Sequence, residues 1–421
     1  MKKELLGTRI MVLDSIMGSG KTTQIFHHIN KNPKRKYVCA VRYLDEISRY
    51  IKECPNANFI TPSDELFGSK QAHFHVLLND CQNIIVTHEL FRRIFIMQHE
   101  LELLHTYNYE LIMDETAEVI EILNISPHDK EEILLRYVEV GEDYLVRWTC
   151  RDYSGNHEEI KRRIESQAIR YYKGSFLWLL PINLIKAFSS VFIVTFLFEG
   201  SHMSAYLRIH GLSYDYFHVR NHKLVPGKQN VSEILPEIRE KLDIYDGKFN
   251  DIGDPKTALS VSWYENKQNK ELVKKLERNA RNYLEKECKA CVSQAQWTVF
   301  KDKSKKGSKK KQSLCGKYYV SSFVACNAVA TNEHKDRKHL AYLVNVFDNP
   351  MIRQWFIEQG SVPDEEKYAL SQMMQWIWRS AIREGNPITV YIPSKRMRNI
   401  LKKFLSTDEE KNPSTTPYKA A

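Results

Sequence analysis

At 421 residues the chain is long for one domain and comfortable for two. Its 43% hydrophobic and 27% charged residues suit an ordinary soluble globular protein, and eight cysteines without a signal peptide read as reduced cytosolic thiols, which excludes a disulfide scaffold. A formal net charge of +10 favours a polyanionic partner.

The apolar run Arg9-Ile-Met-Val-Leu-Asp14 reads as a buried strand and leads directly into Ser15-Ile-Met-Gly-Ser-Gly-Lys-Thr22. This is the pattern of a phosphate-binding P-loop, with Ser15 in place of the first glycine of G-x-x-x-x-G-K-[ST]. Gly18 and Gly20 let the chain turn so that successive backbone N–H groups face one concavity. A helix starting near Lys21 turns its positive N-terminal end the same way. Met17, Gly18, Ser19, Gly20, Lys21, Thr22 and Thr23 are therefore the candidate nucleoside-triphosphate-binding residues. Lys21 supplies a mobile charge to the β- and γ-phosphates, and the Thr22 hydroxyl is placed to ligate Mg²⁺.

Further strands are expected at 36–41, 83–87 and 110–114, alternating with helices over Thr22–Asn30, Leu44–Glu53 and Leu66–Asp80. Such alternation implies a mostly parallel sheet covered on both faces, with ligands at the carboxyl ends of its strands. The last strand runs into Leu111-Ile-Met-Asp-Glu-Thr-Ala117. Asp114 is the candidate ligand for Mg²⁺, and Glu115 the candidate for orienting and deprotonating the attacking water.

Residues from about 118 to 175 form a charged insertion of mixed helix and strand that includes Tyr144-Leu-Val-Arg-Trp-Thr-Cys150. The apolar stretch 175–198 is long enough to span a bilayer, but Pro181, Asn183 and Lys186 interrupt it. A short helix followed by a buried strand explains it equally well. A second α/β lobe is expected from 206, with strands at Tyr214–Val219, Ala258–Tyr264 and Tyr318–Val324 and helices at 268–290, 338–347 and 364–383.

Cys288 and Cys291 form one C-x-x-C, which Cys315 and Cys326 would complete as a zinc set; unpaired thiols are the alternative, because ten residues split the second pair. No histidine pair shows metal-ligand spacing. Residues 301–312 hold seven lysines and no apolar side chain, so Lys305, Lys306, Lys309, Lys310 and Lys311 are candidate contacts to a phosphate backbone. A solvated loop with no dedicated partner is the alternative. Trp297, Tyr318, Tyr319 and Phe323 flank the run as candidate stacking residues, with core positions for some of them as the alternative that their alternation suggests, and Ser406–Ala421 reads as a frayed tail.

The P-loop followed by Asp114-Glu-Thr-Ala117 resembles the first two motifs of DEAD/DEAH-box-like superfamily 2 helicases. Val41–Arg49 is similar to the family's first nucleic-acid motif, and Ile84-Ile-Val-Thr-His88 to the next. Val191-Phe-Ile-Val-Thr-Phe-Leu-Phe-Glu-Gly-Ser201 stands where the coupling motif between lobes belongs, and Gln375-Trp-Ile-Trp-Arg-Ser-Ala-Ile-Arg383 resembles the Q-x-x-G-R-x-x-R arginine motif. The segments Ala330-Thr-Asn-Glu333 and Tyr391-Ile-Pro-Ser394 look like a phage-encoded branch. Trp378 departs from the glycine of the arginine motif, and its second arginine comes four residues after the first, a spacing that keeps both on one helix face. The acid box ends in Thr-Ala, which leaves the subclass open.

The resemblance implies an α/β protein of two RecA-like lobes, each a mostly parallel sheet flanked by helices, spanning 1–205 and 206–405. It implies MgATP held between the lobes, with Gln375 on the nucleotide and Arg379 and Arg383 stabilising charge on the departing γ-phosphoryl group. Arg42, Thr87 and His88 would touch nucleic acid, DNA by preference and RNA as the alternative. The implied function is an ATP-dependent helicase or translocase in the cytoplasm of a bacterial host, alongside replication or recombination proteins. A remodelling ATPase that does not separate strands stays open. So does a loader or switch protein that binds ATP with little turnover.

Overall fold

A computed structural model describes residues 7–65, 68–94, 98–300, 314–326 and 334–406. The chain divides into two compact units, Met1–Gln229 with Asp348–Asp364, and Asn230–Phe347 with Glu365–Ala421.

The first unit begins β1 (Arg9–Asp14), α1 (Lys21–Lys31), β2 (Tyr37–Val41), α2 (Leu44–Glu53), α3 (Lys70–Asn79), β3 (Ile84–Thr87), α4 (His88–Arg93), α5 (Gln98–Thr106) and β4 (Glu110–Asp114). An insertion follows: β5 (Ile120–Ile122), α6 (Pro127–Arg136), β6 (Val138–Val140), β7 (Val146–Trp148), α7 (Glu158–Glu165), β8 (Ile169–Tyr172) and β9 (Ser175–Leu179). The chain then returns through α8 (Ile182–Ala187), β10 (Ser190–Thr195), α9 (His202–Ile209), β11 (Asp215–Arg220) and β12 (Lys223–Pro226). The main sheet has the order β12-β11-β1-β10-β4-β2-β3, parallel throughout except for β12.

Strand residues alternate between two apolar clusters. Ile10, Val12, Val38, Ala40, Leu111, Met113, Val191 and Ile193 enter one, while Leu13, Cys39, Ile112, Phe192 and Val194 enter the other. Both faces of the sheet are therefore buried, which is why its strands read as continuous apolar runs. The insertion builds the antiparallel sheet β5-β9-β8 and the hairpin β6-β7, and its Val119, Ile133, Val146, Ile169 and Phe176 join the first cluster. The stretch 175–198 resolves into strand, short helix and strand, and among the described residues no helix is long and apolar enough to cross a membrane.

The second unit contains α10 (Leu235–Lys241), β13 (Leu242–Ile244), α11 (Val261–Glu265), α12 (Lys270–Asn282), β14 (Ala295–Thr298) and β15 (His339–Tyr342). After α13 (Pro350–Glu358), which belongs to the first unit, it continues with α14 (Glu365–Ile377), β16 (Ile388–Tyr391) and α15 (Lys395–Leu405). Its sheet, β13-β16-β15-β14, is parallel throughout. The expected α/β class and parallel sheets hold in both units.

Several expected elements are corrected. A lobe boundary at 205 falls too early, because β11 pairs in parallel with β1 and completes the first sheet. Residues 338–347 contain β15 and not a helix. Ala258–Tyr264 is no strand: the Ser260 hydroxyl accepts from the Trp263 N–H and starts α11. Tyr318–Val324 is mostly a 3-10 helix, Lys317–Ser322.

Residues 348–364 return to the first unit after the chain has entered the second. Ile352, Trp355 and Phe356 of α13 join the first apolar cluster, each contributing roughly 1.5–3 kcal/mol of burial. Polar clamps hold the segment at both ends. His202 lies 2.9 Å from the Asp348 carboxylate and 3.7 Å from Glu118. Burial pulls the His202 imidazolium down, but these two carboxylates outweigh it and hold the pKa up at about 9. Arg208 donates to Ser361 Oγ and the Val362 carbonyl at 3.0 Å each.

Candidate nucleotide site

The site forms where β1 stops at the carboxyl edge of the first sheet. Gly18 and Gly20 have φ of 80° and 89°, the left-handed region that a side chain disfavours. Gly20 is the N-cap of α1, so the unpaired N–H groups of the first helical turn face the loop. The Lys21 ammonium donates to the carbonyls of Ser15 at 2.6 Å and Ile16 at 3.0 Å, and the loop wraps around its own lysine. Burial lowers the Lys21 pKa, while Glu115, Asp14 and Asp114 pull it back up.

Asp114 ends β4, buried. Its Oδ1 accepts from the Thr22 hydroxyl at 3.5 Å and its Oδ2 from the Tyr50 phenol at 3.1 Å. Burial pushes the carboxyl pKa up against the pull of Tyr50, Thr22 and Lys21. At Glu115 the backbone takes φ of 70°, a costly conformation for a residue with a Cβ, and its N–H donates to the Val194 carbonyl at 2.8 Å. The strand therefore breaks sharply between the two carboxylates.

These residues fit MgATP. The Ser19 hydroxyl, within the loop, is a buried oxygen with no hydrogen-bond partner among the described residues. Thr22 and Asp114 offer hard oxygen ligands side by side, as Mg²⁺ requires.

Some supports of the site were not legible in the sequence. Ser15, 1% exposed, uses its hydroxyl to accept from the Val219 N–H of β11 at 2.9 Å, which gives the serine a use in the glycine position. The Gln229 side chain accepts from the Ile16 N–H at 2.9 Å, and Gln24 donates to the His222 carbonyl at 2.9 Å. Asp14 accepts from Leu197 and Phe198 N–H groups at 2.8 and 3.0 Å, tying the end of β1 to the loop after β10. Glu46 accepts from the N–H groups of Arg42 and Tyr43 at 2.9 and 3.0 Å; burial and the nearby Asp114 push its pKa up to about 7. Tyr50 and Ser15 carry no motif signal, since each acts through a partner distant in sequence.

The remaining candidates sit in varied places. Arg42 lies over the Tyr43 ring at 5.5 Å. Thr87 caps α4 by accepting from the Leu90 N–H, and His88 holds the Ala40 carbonyl at 3.2 Å. Burial lowers the His88 pKa to about 4, leaving a neutral ring. Both side chains thus serve contacts within the unit. Lys305, Lys306, Lys309, Lys310 and Lys311 lie outside the described residues, as do Ala330–Glu333 and residues 407–421.

In the second unit Gln375 donates to Ser371 Oγ at 3.5 Å. Arg379 is 7% exposed in the turn after α14, whereas Arg383 is exposed on a separate 3-10 turn, Ala381–Glu384. The expected single helix face for both is corrected: α14 stops at Ile377, where the Ser380 hydroxyl caps the Ile377 carbonyl. Cys288 lies beside Thr389, Cys291 beside Ser293, and Cys315 is in the core. Among the described residues only His128, Asp129 and Glu132 group as metal ligands, so the four thiols do not assemble a zinc site.

Comparison with known proteins adds three kinds of likeness. Residues 236–405 match the family described as the YonV C-terminal Rossmann-like domain. The chain is 35% identical over 419 residues to the SPbeta prophage-derived uncharacterized protein YonV of Bacillus subtilis strain 168, covering 94% of this chain and 98% of that one. Among solved structures it is similar to an XPD helicase, with 9% identity, a TM-score of 0.47 and coverage of 94% and 95% of the two chains. Xpd4 of S. tokodaii gives 11% identity, a TM-score of 0.41 and 94% of each chain. The DUF1998 helicase MrfA, bound to DNA and AMPPNP, gives 11%, 0.38, and 94% and 48%.

Proposed function

The chain belongs to the YonV family, and from that premise we propose that it is a nucleic-acid-stimulated ATPase that works as a helicase or translocase. The observation that supports this reading most is the convergence of Lys21, Thr22, Asp114 and Glu115 at one edge of a parallel sheet. Sequence separates the two pairs widely, and the fold brings the Thr22 hydroxyl to 3.5 Å from Asp114.

Each residue then has a chemical task. The loop N–H groups and Lys21 bind the phosphates, and Lys21 must leave the Ser15 and Ile16 carbonyls to do so. Thr22 and Asp114 would hold Mg²⁺, which when bound neutralises charge on the β- and γ-phosphates. Glu115 holds the attacking water and takes its proton, while its charge also supports the ammonium of Lys21. Arg379 is assigned the transition-state arginine by the motif it lies in. Arg42 and the lysines of 301–312 are assigned to the nucleic-acid backbone, and the net charge of +10 favours such a partner.

The deciding experiment measures ATP hydrolysis alone and with single-stranded DNA, duplex DNA and RNA. Turnover that rises with one of these supports the reading. Tight ATP binding with no turnover under any condition would sink it in favour of a nucleotide switch.

A further inference from the structure

Beyond the residues that a P-loop motif names, we propose that Tyr50 is a positioning residue that fixes the Asp114 carboxylate for metal binding. The proposal rests on the MgATP reading of the site and assigns part of its cation affinity to α2.

Asp114 has two oxygens with different neighbours. Oδ1 lies toward the Thr22 hydroxyl at 3.5 Å, the side on which a cation shared with Thr22 would sit. Oδ2 accepts from the Tyr50 phenol at 3.1 Å. A carboxylate turns easily about its last side-chain torsion, whose preferences are broad. A fixed donor on one oxygen therefore sets where the other points.

The phenol is well fixed. Tyr50 is fully buried, packed edge-on against Phe26 at 4.8 Å and against Phe59 at 6.5 Å. Its ring joins the apolar cluster formed with Ile47, Cys39 and Ile112. It hangs from α2, the helix that directly follows β2 and Arg42. Partners that orient a metal ligand in this way are worth about 10–100-fold in metal affinity.

The test substitutes Tyr50→Phe, which keeps the ring and deletes the hydroxyl. Binding of a fluorescent ATP analogue is followed in EDTA and across a Mg²⁺ titration. The Mg²⁺ midpoint should rise about tenfold, with affinity in EDTA unchanged. In an Asp114→Ala background the same substitution should add nothing, because the carboxylate it orients is gone. Ile47→Val, which loosens the same cluster but spares the phenol, should keep the wild-type midpoint. An unchanged midpoint in Tyr50→Phe overturns the proposal. An equal shift in Ile47→Val overturns it as well, since packing alone would then explain the effect. Wild-type protein that binds no nucleotide would instead defeat the MgATP reading, and the two failures are therefore distinguishable.

Discussion

At the carboxyl ends of β1 and β4 the first unit presents positive-φ glycines, a lysine wrapped in its own loop and two carboxylates. At the carboxyl ends of β15 and β16 the second unit presents cations too, but its own backbone consumes them. Arg398 donates to the Ile392 and Pro393 carbonyls at 2.8 and 3.0 Å, and Arg396 to Asn345 and the Val346 carbonyl at 3.1 and 2.7 Å. The Asn345 amide donates to the carbonyls of Lys256 and Ala258. A Cβ on Gly253 would stand 1.9 Å from the Pro393 carbonyl oxygen, so even the space is filled. Two largely parallel sheets thus differ in what their loops do: one set holds a lysine inside a glycine-bearing turn beside two carboxylates, the other uses its arginines to close the fold.

The contrast breaks most sharply at Lys21. Lys21→Ala should reduce hydrolysis to background and weaken ATP binding, while Glu115→Gln should keep MgATP and lose turnover by about 10²–10⁴-fold. Nucleotide binding and steady-state rates measured on both variants check this, and the reverse pattern would exchange their roles. Next comes the cation of the second unit that is assigned to chemistry. Arg379→Ala should lower kcat by about 10³-fold with nucleotide affinity unmoved, and Arg383→Ala should cost less, being exposed. If Arg379→Ala unfolds in a thermal melt, this arginine belongs with Arg396 and Arg398 among the structural ones.

Smaller effects sharpen the same comparison. Gly253→Ala should destabilise the second unit by about 3 kcal/mol in denaturant unfolding, because backbone and not a flexible side chain blocks the Cβ. In the first unit, His202 has its folded pKa raised to about 9 from 6.5. Its contribution is therefore complete below pH 6.5 and lost as pH rises through about 9, an effect of roughly 2 kcal/mol at neutral pH. Denaturant midpoints of wild type should fall between pH 7 and 10, and those of His202→Gln should fall less. The smallest effect is expected for Ser15→Gly, about 1 kcal/mol, since the motif is restored while the buried Val219 N–H loses its acceptor.

What the sequence made legible follows from what is local. The P-loop and acid box are contiguous, and four strands of the first sheet fall where their apolar runs lie. The misreadings are failures of local rules. His339–Tyr342 sits in an apolar run whose periodicity does not separate a buried strand from a helix. In Ala258–Tyr264 the β-branched and aromatic content suggested a strand, but the cap at Ser260 decided for a helix. Tyr50 on Asp114, Ser15 on Val219 and the return of α13 are partnerships across the fold, which no window of sequence displays.

Residues 348–364 complete the core of the first unit from inside the sequence of the second. No single cut therefore yields two self-sufficient proteins. A product beginning at Asn230 would carry Ile352, Trp355 and Phe356 without the surface they cover, and a product ending at Gln229 would leave that surface wet. The same holds for inheritance: one recombination event that exchanged either half between diverged relatives would mismatch α13 with its seat.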